Sequence, residues 1–160
     1  MSFLEGLKQQ RAKHEARARE DYERRLPEIT AALRRQKEQE KEKQLKITAF
    51  KDSLVLRMAR ELAELLPHGE YYYTDKNFIR EEDIGHARCR WLIESSYYGG
   101  VNGYFDIFGK EDGRVTVGET SLTTEEAGDT ASVDRALEFN YRNPKRENFS
   151  YGKDSYNEGF

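Results

Sequence analysis

From Leu7 to Leu66 the chain keeps one pattern: Glu, Lys, Gln, Arg, Ala and Leu dominate, glycine is absent, and Pro27 is the only proline. These are strong helix formers, so the spacing predicts a helical arm, with Pro27 and Glu28 marking either a restart at a first helical turn or a kink. Leu26, Ile29, Leu33, Ile47, Phe50 and Leu54 share one heptad register, but Gln36, Glu40 and Lys43 break the seam between them. A solvated charged helix, supported by pairs such as Arg35/Glu38 and Glu40/Lys43, is therefore expected ahead of a continuous coiled coil.

Beyond residue 46 the apolar positions Ile47, Phe50, Leu54, Met58, Leu62 and Leu65 recur at helical spacing on a broad face. The helix is thus expected to continue unbroken into a folded body and to stop at Pro67 and Gly69. Tyr71 to Tyr73 reads as a short strand, 80–87 as an irregular or helical connection, and 88–96 as a strand with Cys89, Trp91 and Ile93 on one face. Gly99 to Gly103 reads as a turn. Strands at 104–108 and 115–119 follow, joined through Asp112-Gly113, a hairpin signal. Thr123 and Glu126 fit a capping box before a very short helix, and 130–141 reads as a last helix turning Val133, Leu137 and Tyr141 inward. The fold class is α+β: a charged helical arm (1–46), a small domain with a three- to four-stranded antiparallel meander (47–143), and a mobile polar and aromatic tail (144–160).

Helix, three strands, helix is an order that resembles the topology of double-stranded-RNA-binding domains. Such domains present a lysine-rich start of the last helix to phosphates, whereas the corresponding stretch here holds Asp129 and Asp134 with Arg135 as its one cation. The resemblance implies an order of elements and transfers no residue role.

Charge divides the chain. Residues 1–50 hold 13 Lys and Arg against 9 Asp and Glu, a balance of +4, and the remainder holds 14 against 21, or −7. A basic arm on an acidic body suits an anionic partner or self-association. No apolar run approaches the length of a membrane span, and the start of the sequence does not read as a targeting segment. The single Cys89 fits a reducing compartment, and the cytoplasm is the expected location. Nothing in the sequence asks for a cofactor.

The outer sheet face is the leading candidate site, because Arg90, Leu92, Tyr104 and Phe108 mix apolar bulk with charge where a merely solvated face would be polar. It reads as a protein-binding surface, unless the Tyr97-Tyr98 loop, the segment before residue 88 or the tail folds over it. Nucleic acid is the alternative partner, met by the arm through Arg11, Lys13, Arg17, Arg24, Arg34 and Arg35, although interspersed acids dilute their field. Phe149, Tyr151, Tyr156 and Phe160 in the tail are of a kind that stacks on bases. A third possibility is a metal-dependent hydrolase using Glu94, Asp106 and Glu119, or a site built on His86 and Cys89 with His68 and Asp83. The expected function is accordingly a non-enzymatic interaction or assembly module, then a nucleic-acid- or ribosome-associated protein, then a hydrolase.

Overall fold

The computed structural model describes residues 2–76, 78 and 80–151, and the chain divides into two compact units, Met1–Glu42 and Lys43–Phe160. The described part of the first unit belongs almost entirely to helix α1 (Phe3–Lys51). Ser2 and Glu5 cap its start reciprocally, with the Glu5 amide donating to Ser2 Oγ at 3.2 Å. Pro27 lies inside α1 without ending it, so the helix does not restart there. No residue of α1 before Phe50 is buried.

In the second unit α1 stops at Lys51 and a separate helix α2 spans Leu54–Leu65. The expected uninterrupted helix is corrected here: Ser53 takes an extended conformation and its side chain accepts from the Leu56 amide, the geometry of an N-cap. The antiparallel sheet consists of β1 (Glu70–Thr74), β2 (Asp83–Ser96), β3 (Gly99–Lys110), β4 (Val115–Val117) and β5 (Thr120–Leu122) in spatial order, with β6 (Lys145–Ser150) paired to the first half of β3. Helix α3 (Thr124–Ala127) begins with the expected capping box on Thr123 and Glu126, and α4 is Thr130–Arg142. The architecture is α+β.

Three strand expectations are revised. Residues 83–87 are not an irregular connection but the opening of β2, which pairs with Gly109 and Lys110. Gly99 to Gly103 is not a turn but the start of β3; the turn is the exposed pair Tyr97-Tyr98. Lys145–Ser150, read as unstructured tail, forms β6, and Gly99 and Gly100 permit this because a side chain on either would strike Phe149. Tyr156 and Phe160 lie outside the described residues.

One face of the sheet is covered by α2 and α4. Val55, Leu56, Ala59 and Ala63 from α2 and Val133, Ala136 and Leu137 from α4 pack with Cys89, Trp91, Phe105, Ile107, Val115 and Val117. Phe50 lies against Gly85 and Gly109, where a β-carbon on Gly109 would come 2.6 Å from its ring. Ile93 does not join this core, because the register shifts between Leu92 and Glu94 and leaves it 38% exposed. Asn140 is the polar residue of the helix contact: its amide donates to Val117 O at 2.9 Å and Ala136 O at 2.8 Å. Its partner loop turns at Gly118, where φ is +60° and a side chain would collide with the Asn140 amide.

Candidate functional site

Strand alternation turns every second residue of the sheet away from α2 and α4. In register, β1 offers Glu70 and Tyr72, β2 offers His86, Arg88, Arg90 and Leu92, and β3 offers Tyr104, Asp106 and Phe108. Arg90 stands opposite Tyr104, Arg88 opposite Asp106, and His86 opposite Phe108. The structure thus brings the four sequence-chosen residues Arg90, Leu92, Tyr104 and Phe108 onto one face, all partly open to solvent. Among the described residues, β6 extends this sheet beside β3.

The face is an interlocked lattice. Asp106 Oδ1 lies 2.7 Å from both His86 Nε2 and Arg88 Nε, and its other oxygen accepts from Arg88 Nη2 at 3.2 Å. Burial would raise the Asp106 carboxyl, but the hydrogen bonds from His86 and Arg88 outweigh it and hold the group at about 2. The Arg88 guanidinium lies 4.4 Å from the centre of the Tyr104 ring, and the His86 ring stacks on Phe108 at 4.5 Å. Arg90 Nε donates to Glu70 at 3.0 Å and Nη2 to Tyr72 Oη at 2.9 Å. Glu70 is consequently held below its ordinary range, first by the Tyr72 hydroxyl and then by Arg90. Further along, Lys110 pairs with the buried Asp83 and lies over Phe108.

At the His86–Phe108 end the face borders a cavity of about 1050 Å³, whose lining includes Lys46, Phe78, Arg80, Phe108 and Thr116. At the opposite end Leu92 borders a smaller hollow of about 220 Å³ with Phe149 and Tyr151. Arg88, Arg90 and Lys110 of the lattice are each paired with a carboxylate, Asp106, Glu70 and Asp83, so the lattice offers aromatic planes and directed donors with its own cations compensated.

The hydrolase constellations are not assembled. Glu94 pairs opposite Val101, six residues along β2 from the Arg88–Asp106 pair, or about 20 Å at strand spacing. Glu119 is exposed in the β4–β5 turn. His86 and Cys89 point to opposite faces: the Cys89 thiol is buried, donates to Ala59 O at 3.4 Å, and is pushed up to about 12 by burial. Among the described residues no group of three or more His, Cys, Asp and Glu side chains is placed to hold a metal ion.

The basic residues of the arm are exposed along α1. At about 100° per residue, Lys13, Arg17, Arg24 and Arg35 fall on one side of the helix, Arg34 on its shoulder and Arg11 on the opposite side. Arg11 pairs with Glu15 at 3.1 Å, and Arg24 pairs with Asp21. Sequence reasoning left Glu70, Tyr72, His86, Arg88 and Lys110 out of the sheet face, and offered Asp106, which does lie on that face, also as a metal ligand. Extending the alternation of β2 two residues upstream of Arg88 would have found His86.

Among the described residues no helix is long and apolar enough to cross a membrane. Set against family models, curated proteins and solved structures, the chain matches none.

Proposed function

We propose that the chain is a non-enzymatic protein-interaction module whose outer sheet face binds another protein, with the helical arm as a second contact element. The observation that supports this reading is the lattice itself. Arg88, Arg90, Tyr72, Tyr104 and Phe108 are aromatic and arginine side chains held in place by one another on the face that α2 and α4 leave open. Such residues dominate protein contacts because they bury large area with little loss of rotamer freedom when already ordered. The charge balance of the face also suits protein better than phosphate backbone.

The test is recovery of partners by the immobilised chain beside its Tyr104→Ala/Phe108→Ala variant, with the melting of Trp91 fluorescence confirming that the variant is folded. A partner bound through the face should fall at least about tenfold, the cost of losing a hot-spot aromatic. Equal recovery of every partner by a folded variant would overturn the reading.

A second reading is favoured by one observation, the alignment of Lys13, Arg17, Arg24 and Arg35 along one side of the arm: a nucleic-acid partner bound by phosphate contacts. Its signature is RNA binding that weakens steeply with salt. Binding that is absent at low salt, or insensitive to salt, dismisses it.

A further inference from the structure

Within the first unit, the exposed large apolar residues after Leu7 are Tyr22, Leu26, Ile29 and Leu33, which are 58, 42, 41 and 54% exposed. Their spacing of four, three and four places them on one side of α1, opposite the face of Lys13, Arg17, Arg24 and Arg35. Among the described residues of that unit nothing covers them, since no residue of α1 before Phe50 is buried.

We infer that this stripe is a contact between two copies of the chain, with the second arm running antiparallel to the first. The four–three–four spacing is unchanged on reversal, so a reversed copy sets Tyr22 against Leu33 and Leu26 against Ile29. Charge then chooses the direction. Residues 14–23 carry Glu15, Glu20, Asp21 and Glu23 against Arg17 and Arg19, a balance of −2. Residues 32–41 carry Arg34, Arg35, Lys37 and Lys41 against Glu38 and Glu40, a balance of +2. An antiparallel pair lays these two segments on each other at both ends, whereas a parallel pair lays each on its like.

The next seam positions agree. Arg19 meets Gln36 in the antiparallel pair but another Arg19 in the parallel one. One layer further out, Glu15 meets Glu40, a like-charge pair that ends the contact and keeps it short. The association is therefore reversible and concentration-dependent. It uses a surface separate from the sheet face and is tested without reference to it.

The experiment is sedimentation equilibrium on the intact chain, with a dimer expected to build up below ~100 μM, as for a contact of micromolar strength. Leu26→Gln with Ile29→Gln should shift association by at least about tenfold, while Trp91 fluorescence, which reports the second unit, stays unchanged. Glu40→Lys should tighten the dimer severalfold by facing Glu15; in a parallel pair it would only exchange one like-charge layer for another. Direction is also read by oxidation. A mixture of Tyr22→Cys and Leu33→Cys chains should cross-link, and Leu33→Cys alone should not, with the buried Cys89 silent in both. A monomer at every concentration, a dimer indifferent to Leu26→Gln/Ile29→Gln, or ready cross-linking of Leu33→Cys alone would each overturn the inference.

Discussion

Arg11 and Glu15 on the arm are 3.1 Å apart, and Arg88 and Asp106 on the sheet are 2.7 Å apart. By distance the two pairs are nearly equivalent. Their surroundings are not: the side chains of the first are 83 and 66% exposed, those of the second 35 and 16%. Water screens the arm pair and competes for each partner, so it holds little more than a local helical preference. The sheet pair is shielded by its neighbours, shares its carboxylate with His86, and carries Tyr104 beneath the guanidinium. The worth of an ion pair here is set by what else touches it.

The largest break in that comparison is Asp106→Ala. It strands Arg88 and His86 together, and we expect a loss of about 2–3 kcal/mol, measured by denaturant unfolding of Trp91 fluorescence. A loss below about 0.5 kcal/mol would put this pair in the class of the arm pair. Acid gives a smaller effect from the same group. The folded Asp106 carboxyl lies at about 2 against an ordinary 3.8, so the unfolded chain takes up the proton first as pH falls. Its contribution is complete above the ordinary value and is lost as pH drops towards the folded one, an effect of about 1–2 kcal/mol after allowing for screening. Stability curves between those pH values should be flatter for Asp106→Ala than for the parent. Smallest of all is Glu15→Gln on the arm, expected to change helicity by circular dichroism only slightly and the Trp91 transition not at all, with a cost under about 0.5 kcal/mol.

The same contrast explains what could be read from the sequence. The arm was legible because helix propensity is local, and a run of Glu, Lys, Arg and Gln needs no tertiary partner to announce itself. The break before α2 was not, because Ser53 is unremarkable until its hydroxyl is seen to accept the Leu56 amide. In the sheet, alternation at 88–92 and 104–108 correctly assigned both faces, including Arg90, Leu92, Tyr104 and Phe108. It failed where glycine interrupts. Gly85 hid the start of β2, and Gly99 and Gly100 looked like a turn because their purpose, admitting β6, depends on residues fifty positions later. Without the first residues of β2, the cavity beside His86 and Phe108 could not be anticipated: its lining comes from four separate stretches of chain.

Asn140 carries a consequence of a different kind. Apolar side chains tolerate sliding, since one methyl contact substitutes for another, and a helix resting on Val117 and Trp91 alone could settle at a continuum of positions. The Asn140 amide removes that freedom. It finds acceptors only at Val117 O and Ala136 O, beside the space that Gly118 leaves clear. A slip of α4 by one residue, about 1.5 Å, would keep the bond to Ala136 O, which travels with the helix, and break the bond to Val117 O, the one that ties α4 to the sheet. The bond to Val117 O therefore indexes the helix to the sheet at one register, a preference that a purely greasy interface would lack.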